Sequence, residues 1–221
     1  MPAGFQVTGE HGVLQIDQDY SNLALSASGS VTVGTTNNTM YADVTITGDT
    51  PVMVIKAQDI FVGIYSMVQT GNQFTYRFVT RSIPGYGLGF QWFAFDKARI
   101  SGENCGLQVF KEDGSIAYDS GCRPIKITQV IPNIPVGPGS SDPALAFLVG
   151  TVPQGNYGFI LSQTYSNFMG SPGGAGFAQV GCARVTPNSV FRTITSYPGE
   201  LRATRYNGSI NMLMVDLTGI A

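Results

Sequence analysis

The sequence predicts an all-β protein built of antiparallel β-sandwich or barrel-like units, as two packed β-units each opened by a similar hairpin. Three observations predict it. Apolar and polar residues alternate along most of the chain, and the alternating runs are rich in β-branched and aromatic residues. Gly, Pro, Asn and Ser bound those runs at short intervals, in a chain of 221 residues with 28 glycines and 12 prolines. No segment of a dozen residues sustains a helical stripe without a Gly or Pro interrupting it.

The first run is "GFQVTGEHGVLQID", from Gly4 to Asp17. Phe5 and Val7 alternate before His11-Gly12, and Leu14 and Ile16 alternate after it, which predicts a hairpin. Val31 and Val33, then Met40, Ala42, Val44 and Ile46, continue the alternation. Residues 51–68 are more densely apolar and read as two buried strands. Phe74, Tyr76 and Phe78 line one face of the next run, and "GFQWFAF" (89–95) closes the first unit. The boundary is set at 1–103 and 104–221.

The second unit opens with "GLQVFKEDGSIAYDSGC", from Gly106 to Cys122. Leu107 and Val109 precede Asp113-Gly114, and Ile116 and Tyr118 follow it. Asp-Gly between alternating runs signals a two-residue turn, with a three-residue loop plus bulge as the alternative. All four apolar residues, like Phe5, Val7, Leu14 and Ile16, are expected to pack inward, with Asp119 facing solvent. Aligned without gaps, the two hairpin stretches share six of fourteen residues: Gly, Gln, Val, Glu, Gly and Asp. Turn glycines also match by chance, so the repeat stands or falls on whether both stretches fold alike. Further strands are expected at 124–130, 144–151, 156–164, 177–185, 189–195 and 209–217. The Pro-rich stretch 131–144 is a linker or long loop inside this unit, and 170–177 is a Gly-rich loop.

Composition narrows the function classes. The chain is 43% hydrophobic and 12% charged, with a formal net charge of -2. The charged fraction is about half that of an ordinary soluble domain, which suits surfaces that are neutral or covered by partners. No basic run occurs, which argues against a nucleic-acid partner. The N-terminus lacks the charged and apolar regions of a signal peptide, and no apolar stretch is long enough to span a bilayer. Synthesis in the cytoplasm and no membrane insertion are therefore expected.

Catalytic patterns are weak. His11, the one histidine, falls at a hairpin tip, a poor place for a triad member. There is no G-x-S-x-G, phosphate-binding glycine loop or H-E-x-x-H, and Asp17-Gln18-Asp19 lacks the rest of a calcium loop. Three cysteines and one histidine do not make a zinc site. No enzyme activity, cofactor or metal is expected.

Two features remain as candidate sites. With a two-residue turn at Asp113-Gly114, Cys105 falls opposite Cys122 on a non-hydrogen-bonded pair, about 4.5 Å between Cα atoms. They could form a disulfide or remain buried thiols. Cys182 is expected to be buried. In "IPGYGLGFQWFAFD" (83–96), Tyr86, Phe90 and Trp92 stand among glycines. They could present rings to a sugar or a protein, or serve as core with Phe93 and Phe95.

The start "MPAGFQV" and the hairpin residues Gly106, Leu107, Val109, Phe110, Gly114, Ile116, Tyr118, Asp119 and Ser120 resemble small β-rich virion proteins. These belong to the tail tip or tail fibre region of long-tailed, siphovirus-like bacteriophages. The resemblance covers the two hairpins, roughly a seventh of the chain. The first hairpin departs from it, with Gln15 and Ile16 where the second has Ala117 and Tyr118. It implies a structural component of the virion tail (tail tip, baseplate or fibre attachment), assembling with copies of itself and other tail proteins. The alternative it leaves is a receptor- or carbohydrate-binding module that meets a host-surface glycan or receptor through the 83–96 loop. No functional residue is carried over from the family.

Overall fold

The alternating runs become strands, which divide between two large sheets and two separate two-stranded hairpins. The computed structural model describes residues 6–8, 14–17, 22–33, 40–83, 86–135, 147–161, 166–169, 177–198 and 209–220. A first hairpin pairs β1 (Gln6–Thr8) with β2 (Leu14–Asp17). Then come β3 (Leu23–Thr32), β4 (Met40–Thr47), β5 (Val52–Lys56), β6 (Ile60–Thr70), β7 (Gln73–Ser82) and β8 (Gly89–Lys97). A second hairpin pairs β9 (Gln108–Phe110) with β10 (Ile116–Asp119). It is followed by β11 (Ile127–Pro135), β12 (Phe147–Thr151), β13 (Tyr157–Leu161), β14 (Ser166–Met169), β15 (Phe177–Val185), β16 (Ser189–Pro198) and β17 (Ser209–Asp216). No helix occurs among the described residues, and the sheets are antiparallel.

One sheet runs β11-β17-β13-β5-β8-β3. The other runs β12-β16-β15-β6-β7-β4, with β14 added beside β15. Packed face to face they form a β-sandwich. Both orders read the same from either edge. In the first set β3 pairs with β8 and β4 with β7, leaving β5 and β6 innermost. In the second, β11 pairs with β17 and β12 with β16, leaving β13 and β15 innermost. This nested pairing of first with last is jelly-roll winding, run with six strands in place of eight. The sets meet antiparallel at Phe159↔Ile55 in one sheet and Ala183↔Val62 in the other, as about a twofold axis.

The ladders match in detail. Gln6 faces Asp17 and Val7 faces Ile16, then the register slips to Thr8↔Leu14. Gln108 faces Asp119 and Val109 faces Tyr118, then it slips to Phe110↔Ile116. The first long strand of each set also slips early, between Leu25 and Ala27 and between Ile127 and Gln129. A bulge leaves one residue out of the ladder. Here that residue carries a hydroxyl in both sets. Ser26 donates to the Ala94 carbonyl at 3.0 Å, and Thr128 donates to the Met214 carbonyl at 3.4 Å.

The main core lies between the sheets and draws on both sets, with Ile55, Val62, Phe78, Phe90, Phe159, Ala183 and Met214 among its residues. A second core lies on the other face of the β3-containing sheet. It is made by Val54, Phe93, Phe95, Val215 and Leu217, with Leu23, Leu25, Ile125 and Ile160 packed against it. The segment 123–127 explains it by bridging the sheet's two edges at one end. Leu25 N–H donates to Arg123 O and Ile125 N–H to Leu23 O, each at 2.9 Å, while Asp216 N–H donates to Lys126 O at 2.9 Å. The ring closes there and curls the sheet around side chains that a flat sandwich would expose. This is why β5, "VMVIK", is apolar at consecutive positions.

Several expectations change at the second hairpin. Its loop has three residues, not two. Lys111 N–H donates to Ser115 O at 2.7 Å and Gly114 N–H to Lys111 O at 3.0 Å, with Gly114 at φ +80° in the left-handed region. The bulge at Ala117 then restores Val109 opposite Tyr118. The inward set also differs. Val109, Ala117 and Asp119 are buried, Ile116 and Tyr118 are half-buried, and Leu107 is 42% exposed. The added bulge residue turns Ala117 inward, where its carbonyl accepts Asn22 N–H at 3.0 Å. Residues 131–135, expected to open the Pro-rich loop, instead continue β11, and Phe177 begins β15. Phe5, the His11-Gly12 turn, the Leu14 and Ile16 side chains, and residues 136–144 and 170–176 lie outside the described residues.

Candidate functional site

The candidate site lies where β3 ends, β8 begins and β5 runs into the next turn. Ser30 faces Gln91 across one ladder, and Gln91 faces Lys56 across the next. Side chains alternate along strands, and Val31, Ile55 and Phe90 belong to the main core. Ser30, Gln91 and Lys56 therefore stand in a row on the opposite face, continuing the side that carries Phe93 and Val54 to the second core. One step further, Thr32 faces Gly89. With no side chain at Gly89 the surface is hollow there. Gln58 and Asp59 form the remaining wall, and the cavity measures about 280 Å³.

These six polar side chains are uncommitted. Ser30, Thr32, Lys56, Gln58, Asp59 and Gln91 make no side-chain hydrogen bond or ion pair among the described residues. Lys56 and Asp59 give the cavity one charge of each sign. Among the described residues its lining holds one carboxylate, whereas glycoside hydrolysis commonly uses two.

The rim is fixed by Arg184 from the second strand set. Its guanidinium carbon lies 4.7 Å from the Phe191 ring centre, 5.3 Å from Phe61 and 5.8 Å from Tyr86. Its Nη1 donates to Gln58 O at 3.2 Å, and Val185 N–H donates to Ala57 O at 2.8 Å. The same residue thus steadies the 57–59 wall and the Tyr86 ring, which is 56% exposed. Gly87 brings the chain past Asp59: a Cβ placed there would lie 3.1 Å from Asp59 Oδ2.

The three aromatics expected to act together are separated. Tyr86 is at the surface. Phe90 is 3% exposed and packs edge-on against Phe78 with ring centres 5.2 Å apart. Trp92 lies partly buried over Gly29, on the core side of β8. Phe93 and Phe95 are buried. The polar groove residues carried no signal in the sequence beyond falling on the outward beat of their runs.

Cys105 and Cys122 are both free thiols. The ladder does reach Leu107 opposite Ser120, with Ser120 N–H donating to Leu107 O at 2.9 Å. A turn then begins, with Cys122 N–H donating to Asp119 O at 3.1 Å, and the Cys122 thiol donates to Arg99 O at 3.0 Å. Cys182 is buried, and desolvation moves its thiol far above the ordinary range.

Two aspartates organise the surrounding loops. Asp119, expected at the solvent, is 3% exposed. It accepts Ser101 N–H at 2.9 Å, Gly121 N–H at 2.8 Å, Gln108 Nε2 at 2.9 Å and the Ser101 hydroxyl at 3.0 Å. Led by the Ser101 amide and opposed by desolvation, these bonds hold its carboxyl down at about 2. Asp96 accepts the N–H groups of Asp49, Thr50 and Lys97 at 2.7, 3.0 and 2.8 Å. Burial pushes its carboxyl up, but the three amides outweigh it and the net shift is downward. Both are bonded as structural anchors. No group of three potential metal ligands occurs among the described residues. No protein-family model, curated protein or solved structure matches the chain.

Proposed function

We propose that the chain is a non-enzymatic structural component of a bacteriophage tail, acting by assembly with copies of itself and other tail proteins. The observation that carries the reading is the second hairpin. The stretch that resembles tail-tip and fibre-region proteins also holds apolar side chains at the surface, with Leu107 42% and Phe110 48% exposed and Ile100 close by in sequence at 65%. Surface this apolar suits a covered interface, and the sparse charge of the whole chain agrees. Interfaces on the order of 1,000 Å² or more follow from that role. The test is mass spectrometry of purified phage particles together with the sedimentation of the purified chain. The chain should be found in particles and should sediment as an oligomer, and Leu107→Ser with Phe110→Ser should lower the oligomer fraction. Absence from particles, or a stable monomer with no partner, defeats the proposal.

The alternative, a receptor- or carbohydrate-binding module, is favoured by a different observation. Tyr86 is exposed, and the Arg184 near its ring also holds the Gln58 wall of a groove of uncommitted polar side chains.

A further inference from the structure

We propose that the groove formed by Ser30, Thr32, Lys56, Gln58, Asp59 and Gln91 binds a neutral saccharide. The inference rests on the carbohydrate-binding alternative and is independent of assembly. The first argument is chemical. A sugar hydroxyl both donates and accepts, and neighbouring hydroxyls ask for both in close succession. The groove supplies two hydroxyls, two amides, an ammonium and a carboxylate, all without protein partners among the described residues. The second is electrostatic. Lys56 and Asp59 cancel, so the site lacks the clustered cations by which a phosphate or sulfate is held. The third is preorganisation. Ser30, Gln91 and Lys56 stand on three neighbouring strands in direct register. The Gln58 wall is held by Arg184 Nη1 at 3.2 Å, and Arg184 is itself packed on Phe61 and Phe191. Binding therefore orders little that is not already ordered. At about 280 Å³ the hollow is near the lower end of small-ligand sites, which suits a short stretch of a glycan chain.

The experiment applies the full chain to a printed array of neutral oligosaccharides, with acidic oligosaccharides as comparators. The best neutral glycan is then titrated against Gln91→Ala, Lys56→Ala and Asp59→Ala, with Thr75→Ala on the other sheet as a control. Thermal melts confirm folding, and sedimentation of the same samples reports assembly separately. The expected result is binding to neutral glycans that each groove substitution weakens about tenfold or more and that Thr75→Ala leaves unchanged. Binding to a neutral glycan that survives all three groove substitutions overturns the site while leaving the chain a saccharide binder. Binding to no glycan, or to acidic ones alone, overturns the inference and the carbohydrate alternative together, and neither outcome touches the assembly proposal.

Discussion

In the first strand set β3 runs unbroken from Gly29 to Thr32 against Trp92 to Gly89, and its outward row ends in the polar groove. In the second set β11 slips a second time between Ile131 and Ile134, with Pro132 inside the slip. The equivalent of Gln91 there is Asn211, one residue before the Met212 that answers Trp92. Elsewhere the sets agree closely: the hairpin bulge, the early bulge with its hydroxyl, and the nesting of first strand with last. Features that decide how the strands wind are kept in both, while the polar surface row is described in the first set.

The largest expected effects test whether the sets share one core. Phe78 and Phe159 are fully buried, one from each set. Replacing either with Ala should cost about 3–5 kcal/mol, read from the urea midpoint. Unequal costs, with one near zero, would mean that one set contributes little to that core. Next comes the joint. A Cβ at Gly158 would lie 2.6 Å from Val54 Cγ1 and 3.0 Å from Ile55 O. Gly158→Val should therefore overpack the β5·β13 contact and cost about 1–3 kcal/mol, with the same midpoint as readout. A neutral result would mean the sets can part there. Gly114→Val strains a left-handed position by about 1–2 kcal/mol. Because that strain is local, hydrogen exchange should speed up first at the Lys111 and Ser115 amides. Exchange unchanged at both would contradict the three-residue loop.

The smallest effect concerns pH. Asp119 is held at about 2, below the ordinary value near 3.9. Its contribution is complete above the ordinary value and is lost as pH falls toward the folded one. Asp119→Asn should flatten the fall in stability on acidification between those limits, leaving the part due to the other aspartates held low, Asp43, Asp96, Asp113 and Asp216. An unchanged acid slope in the variant would show that the network around Ser101 and Gly121 does not favour the charged form.

Much of this was legible from the sequence because alternation and turns are local. Whereas Val109 meets Tyr118 only because a bulge offsets a loop one residue longer than expected, the buried face of Phe74, Tyr76 and Phe78 followed from such signals. The loop length at Asp113-Gly114 did not, since Asp-Gly serves two- and three-residue loops alike. The bulge that compensates it carries no signature at Ala117. Asp119 keeps its expected register but is buried because the distant Ser101 folds over it and bonds its carboxylate, and the turn after it kept Cys122 from Cys105. The groove was illegible for another reason. Ser30, Lys56 and Gln91 come from three separate runs, and only sheet order places them together. The second core depends on ring closure by 123–127, a long-range event that alternation does not encode.

The central claim is that the two strand sets form one cooperative body through shared sheets and a shared core. Trp92, the single tryptophan, lies in the first set, and Phe159 lies in the second. The direct test is urea unfolding of the native chain and of Phe159→Ala, followed at once by tryptophan fluorescence and far-ultraviolet circular dichroism. A single body predicts coincident transitions in both proteins, with the Trp92 signal moving to lower urea in the variant as far as the circular dichroism does. A Trp92 transition that stays in place while the circular dichroism splits into two would show two bodies that merely touch.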